Sequence, residues 1–122
     1  MSRLLLVDDQ SKNLIALEAT LRAPHRELVS VQSGEHAIEE ARRREFSVVV
    51  LDVVMPRMDG LETAAALKTL APNTPIILLS AYFEDEDVLA RAEAVGAHEC
   101  MAKPFNPAVL CGKIAHYEQS SV

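Results

Sequence analysis

Apolar runs and helix-periodic segments alternate five times along this chain. The runs predict strands over residues 3–7, about 27–31, 47–51, 76–79 and 98–102. Ser47 to Leu51 is β-branched and has no polar interruption beyond its first residue, which suits a strand buried on both faces at the centre of a sheet. The run at 27–31 is weaker, because Glu27 and Ser30 break it. Between the runs, Leu14, Leu17 and Leu21 recur at helical spacing after Ser11, a capping residue, and Pro24 enforces the end of that helix. Ser33 caps a second helix whose inner side carries Ala37, Ile38 and Ala41. Met55 to Gly60 reads as a loop punctuated by Pro56 and Gly60, and a third helix begins near Leu61. The acidic run Glu84 to Asp87 suits the first turn of a fourth helix, where negative side chains complement the macrodipole, and Gly96 closes it. Asn106 followed by Pro107 reads as an N-cap and first helical position, with Leu110, Ile114 and Tyr117 facing inward. Strict alternation of this kind is the signature of an α/β fold, a parallel sheet covered by helices on both faces.

Three of the runs end in residues that do not belong in a core. Leu4 to Val7 leads into Asp8 and Asp9, Val48 to Leu51 into Asp52, and Met101–Ala102 into Lys103. Parallel strands share one carboxyl edge, where open α/β sheets bind ligands, so the fold would gather three carboxylates and one ammonium in one crevice. Asp8 and Asp9 can serve one site only where the strand ends and turns, and by themselves they equally suit a loop entry or a cap before Ser11. Asp52 is sharper, because apolar residues flank it on both sides and an unpaired carboxylate there is costly. Lys103 is its natural counter-charge; two unit charges about 4 Å apart attract by about 4 kcal/mol at an effective dielectric of about 20. Ser80, after Ile76 to Leu79, adds a hydroxyl at the same edge, although serine in that place is usually a turn former. Crowded carboxylates raise one another's pKa, so the set makes most sense around a hard, oxygen-seeking divalent cation.

With 122 residues the chain has the size of one domain, assigned here to 1–122, and 49% hydrophobic with 25% charged residues excludes a disordered chain. A net charge of −6 argues against direct nucleic-acid binding. The one basic cluster, Arg42 to Arg44, has Glu39 and Glu40 at the favourable i, i+4 spacing and reads as a solvated helix end. Cys100 and Cys111, eleven residues apart, fit neither a zinc spacing nor a disulfide framework and are expected to be reduced thiols. No signal-peptide pattern opens the chain and no apolar run approaches the ~18 residues of a membrane span, so a cytoplasmic location is expected.

Taken in order, Val7-Asp8-Asp9, Asp52 with Met55-Pro56 and Asp59-Gly60, Ser80-Ala81 and Lys103-Pro104-Phe105 resemble the receiver domain of bacterial two-component response regulators, and the resemblance runs over essentially the whole chain. It implies a flavodoxin-like (βα)5 fold of strand order 2-1-3-4-5. It further implies that Asp52 is the phosphoacceptor for a phosphohistidine on a sensor histidine kinase or phosphotransfer protein. Mg²⁺ would be held by Asp9 and Asp52 with the main-chain carbonyl of Val54, and by Asp8 mainly through a water. Lys103 and Ser80 would engage phosphoryl oxygens, and the Lys103–Pro104 bond would be cis. The product is a signalling module, not an enzyme with turnover, acting on a downstream partner or a fused output domain. Phosphorylation would favour one of two arrangements of the loop after the fourth strand and the helix beyond it.

The sequence departs from the family pattern at Cys100, where a tyrosine or phenylalanine that swings inward is usual, so a rotating aromatic switch is not expected. Val54 and Tyr82 stand at positions that tune access of the hydrolytic water, and Ser80 replaces the usual threonine. Two other readings compete. A phosphatase of the haloacid dehalogenase type also has an Asp nucleophile after a strand but needs a second Asp two residues on, where Val54 stands. A pseudo-receiver would keep the fold and bind partners without phosphate; Cys100 favours it and the complete acidic set opposes it.

Overall fold

The structure is a computed structural model that describes residues 1–53, 59–81 and 85–120. Its elements alternate: β1 Ser2–Val7, α1 Ser11–Leu21, β2 Arg26–Val31, α2 Gly34–Arg43, β3 Val48–Asp52, α3 Gly60–Leu70, β4 Ile76–Ser80, α4 Glu86–Ala94, β5 Glu99–Ala102 and α5 Pro107–Ser120. The strands form one parallel sheet in the order β2-β1-β3-β4-β5, as the resemblance implied. Among the described residues no helix is long and apolar enough to cross a membrane.

Strand periodicity divides the core in two. Leu5 and Val7 of β1, with Val49 and Leu51 of β3 and Ile76 and Leu78 of β4, pack under Ala37, Ala64, Leu67 and Ala92 of α2, α3 and α4. Leu4, Leu6, Val48, Val50, Ile77 and Leu79 point the other way, onto Leu14, Leu17 and Leu21 of α1 and Leu110 and Ile114 of α5. Because β3 and β4 are buried along their whole length, they could only be near-continuous apolar runs. β2 is an edge strand with only Val31 fully buried, which explains why Glu27 and Ser30 are tolerated in it.

Most helix ends follow the local signals. Ser33 caps α2 by accepting from the His36 N–H. Asn106 caps α5 by accepting from Ala108 and Val109 N–H groups. The left-handed turn after α4 is taken by Gly96 at φ 79°. Two boundaries differ from expectation. Ser11 is the first helical residue of α1, not its cap; Gln10 holds the cap position without a side-chain bond, and the Asp8 carboxylate accepts the Gln10 N–H at 2.9 Å. α4 begins at Glu86, with Asp85 as N-cap accepting from Asp87 and Val88 N–H groups. Glu84 lies outside the described residues. Arg43 pairs with Glu39 and Arg44 with Glu40, the helix-end pairs the spacing predicted, and both cysteines are free, half-buried thiols.

Candidate functional site

The carboxyl edge of the sheet collects the charged residues that end the strands. β1 and β3 are neighbours, with Val7 opposite Leu51, so Asp8 and Asp52 emerge side by side. β3 is held on its other side by β4, with Asp52 opposite Leu79 and the Val53 N–H donating to the Leu79 carbonyl at 3.0 Å. Ser80, 1% exposed, ends β4 one residue further on. Its carbonyl accepts the Lys103 N–H at 2.9 Å, which brings the segment after β5 to the same edge. The Lys103–Pro104 peptide is cis.

Asp8, Asp9 and Asp52 each present a carboxylate oxygen within 4.8 Å of the others. Asp8 and Asp52 are buried, at 1% and 7% exposed, and Asp9 is half-buried. The Lys103 ammonium lies 3.0 Å from Asp52 Oδ1 and 3.5 Å from Asp8 Oδ2. Four of the residues singled out in the sequence are therefore gathered in one cluster, and Ser80 stands on the same edge. Val54, with Met55, Pro56 and Tyr82, lies outside the described residues.

The electrostatics of this cluster are unbalanced. Burial pushes the Asp52 carboxyl above the ordinary carboxylate value; Lys103 opposes that shift, while the charges of Asp8 and Asp9 add to it. Burial would lower the Lys103 ammonium, but its bonds and attraction to Asp52 and Asp8 outweigh burial and hold it above the ordinary lysine value. One cation does not neutralise three carboxylates. An all-oxygen, acidic donor set with spare negative charge fits a hard divalent ion such as Mg²⁺, which binds through one or two carboxylates and keeps several waters.

Two contributors were not legible as such in the sequence. Asp59 is the N-cap of α3, accepting the Glu62 N–H at 2.8 Å, and its other oxygen faces Arg91 of α4 at 3.5 Å. Gly60, read above as loop punctuation, is the first residue of α3, and its N–H donates to the Val53 carbonyl at 2.8 Å. The signal for both was the Asp-Gly pair itself: a capping residue followed by a poor helix former at a helix start suggests that space, not propensity, chose the glycine. Beside the cluster, Asp8 and Lys103 also line a cavity of about 560 Å³ between α1 and the start of α5, walled by Leu17, Leu79 and Phe105.

Comparison with known proteins agrees with this geometry. The response regulator receiver domain family matches residues 4–115. The transcriptional regulatory protein PrrA of Mycobacterium tuberculosis is 35% identical over 112 residues, covering 92% of this chain and 48% of PrrA. The chemotaxis protein CheY4 of Vibrio cholerae has a solved structure similar to this one at a TM-score of 0.86 and 30% identity, covering 96% of this chain and 98% of that one. The receiver domain of sensor histidine kinase PA1611 from Pseudomonas aeruginosa, solved with a magnesium ion coordinated in its active site cleft, is similar at a TM-score of 0.87 and 26% identity, covering 97% and 98% of the two chains. The chain spans less than half the length of the curated relatives it matches. A parallel sheet in this order, an acidic cluster with a lysine at its carboxyl edge and a family match over nearly all of its length identify the chain as a member of the response regulator receiver domain family.

Proposed function

We propose that residues 1–122 form a single receiver domain that acts as the phosphoacceptor module of a two-component phosphorelay, with Asp52 as the acceptor. The observation that carries this reading is the buried Asp52 carboxylate, 3.0 Å from the Lys103 ammonium and within 4.8 Å of two further carboxylates. The phosphodonor is a phosphohistidine on a sensor histidine kinase or a phosphotransfer protein. An Asp52 oxygen forms the new bond to phosphorus as the phosphorus–nitrogen bond of the donor breaks, and the imidazole leaves with the electron pair. Asp9 and Asp52 would hold Mg²⁺ directly, with the main-chain carbonyl of Val54 that the resemblance implies, and Asp8 would act mainly through a water. The chemistry such an ion would supply there is neutralisation of negative charge on the acidic cluster and the phosphoryl group.

Phosphoryl transfer asks a protein mainly for positioning and charge neutralisation. Lys103 is already placed against Asp52 and neutralises a phosphoryl oxygen after transfer. The Ser80 hydroxyl hydrogen-bonds another. The cavity walled by Phe105 and Leu17 leaves the donor an approach beside Asp8 and Lys103. The domain is a switch with self-phosphorylation and slow dephosphorylation, working in the cytoplasm on a downstream partner or a fused output domain and not binding nucleic acid itself. A dianionic group at Asp52 redistributes the Lys103 contacts, and the segment after β4 with α4 takes up the change.

The test is intact-mass spectrometry after incubation with acetyl phosphate and Mg²⁺. Wild type is expected to gain one phosphoryl group and Asp52→Asn none. No gain on wild type, or equal gain on both, defeats the reading.

A further inference from the structure

The first turn of α3 rests directly on the main chain of Asp52. A methyl group built on Gly60 would lie 2.1 Å from the Asp52 carbonyl oxygen, 2.6 Å from Val53 Cα and 2.8 Å from the Asp52 carbonyl carbon. All three are backbone atoms, so no side-chain rotation relieves the overlap. The oxygen would have to retreat by more than an ångström to reach ordinary contact. Gly60 is helical, so its backbone makes no demand for glycine; the space does. Gly112, in the middle of α5, is the contrast, since a methyl there meets nothing within 4 Å.

We propose that Gly60 is a positioning residue for phosphoryl transfer: by lacking a side chain it lets the start of α3 seat on the Asp52–Val53 peptide and fix where the Asp52 carboxylate stands. The inference rests on the reading of Asp52 as the phosphoacceptor. Three hydrogen bonds define the seat. Val53 N–H donates to Leu79 at 3.0 Å on the strand side, Gly60 N–H donates to the Val53 carbonyl at 2.8 Å on the helix side, and the Asp59 carboxylate holds the Glu62 N–H at 2.8 Å to keep the turn formed. Leu61 and Ala64, both buried, anchor the helix in the core, so the helix cannot slide away without cost. A side chain at position 60 therefore moves the Asp52 peptide. Misplacing a reacting group by about 1 Å costs on the order of 10²-fold in rate.

The test compares Gly60→Ala, Gly112→Ala and wild type for the rate of phosphoryl uptake from acetyl phosphate at saturating Mg²⁺, expressed per folded molecule from circular dichroism. Gly60→Ala is expected to be slower by about 10- to 100-fold, with the Asp52 and Val53 amide resonances displaced, and Gly112→Ala to match wild type. Loss of global stability alone would move neither the rate per folded molecule nor those two resonances. A Gly60→Ala rate equal to wild type overturns the proposal. Wild type that takes up no phosphoryl group is a different result, and overturns the reading of Asp52 together with this inference. If Gly60→Ala does not fold, Asp59→Ala decides the matter, because it loosens the same turn without adding an atom. A several-fold slower uptake with a displaced Val53 amide supports the seat, and an unchanged rate overturns it.

Discussion

The two ends of the sheet both gather buried charge, and they treat it in opposite ways. At the amino end, Arg26 of β2 grips Glu118 of α5 through two hydrogen bonds of 2.7 and 2.9 Å, with the Ser2 hydroxyl donating to the same carboxylate. The bond from Arg26 holds the Glu118 carboxyl below its ordinary value, and Glu118 in return raises the guanidinium. At the carboxyl end, three carboxylates face one ammonium, and Asp52 is pushed upward instead. A matched pair joins two elements of the fold. A surplus of buried charge, bridged only in part by Lys103, is tolerable where a bound ion completes it, and perturbed groups of that kind concentrate at functional sites.

The comparison is broken most severely by exchanging the roles of the two ends. Asp52→Asn is expected to abolish phosphoryl uptake in the mass assay, whereas Glu118→Gln leaves it unchanged; loss of uptake in the latter would mean that the amino end serves the chemistry too. Stability is expected to respond the other way. Glu118→Ala strands the Arg26 charge, both side chains being about nine-tenths buried, and costs about 3 kcal/mol. In urea denaturation the double replacement Arg26→Leu/Glu118→Leu should cost less than that single change, since no charge is left unpaired. A double variant as unstable as the sum of the singles would show that packing, not charge, holds this corner.

Relief of the surplus is a smaller effect. In the presence of a chelator, Asp9→Asn is expected to raise stability by roughly 1 kcal/mol, as removal of a repulsive charge does, and to weaken the stabilisation that added Mg²⁺ confers on wild type. Equal magnesium-induced shifts in melting temperature for the two chains would remove Asp9 from the metal site.

The smallest contrast is in pH dependence. Glu118, held low, binds fewer protons folded than unfolded, so its contribution is complete above the ordinary carboxylate range and is lost as pH falls through its folded value. Asp52, held high in the absence of a divalent ion, binds a proton more readily when folded, so its contribution grows as pH falls through its folded value. With chelator, melting temperatures measured from about pH 7 down to about pH 3 should decline less steeply with acid for Glu118→Gln and more steeply for Asp52→Asn. Parallel profiles would erase the proposed difference between the two ends.

The local rules carried much of this molecule. The apolar runs, the caps at Ser33 and Asn106, the glycine stop at Gly96 and the helix-end pairs of Arg43 and Arg44 are each set by a few neighbouring residues, and periodicity and side-chain chemistry reveal such features directly. The pairing of Lys103 with Asp52 was also legible, because parallel strands have one carboxyl edge and every strand delivers its last residue there. Arg26 and Glu118 are 92 positions apart, and nothing near either residue announces the other. Ser11 looked like a cap, yet the Asp8 carboxylate takes up the amide at the entry to α1 because the turn after β1 brings it there.

Pattern along the chain thus determined the alternation of elements, the doubly covered parallel sheet and the identity of the acidic and basic residues at its edge, since each depends on periods of two and 3.6 residues and on where apolar runs stop. Tertiary structure alone decided which distant charges meet, that Gly60 lies against the Asp52 backbone, and that Asp59 faces Arg91. Those depend on how packed helices lie on the sheet to within an ångström, a quantity that no local pattern encodes.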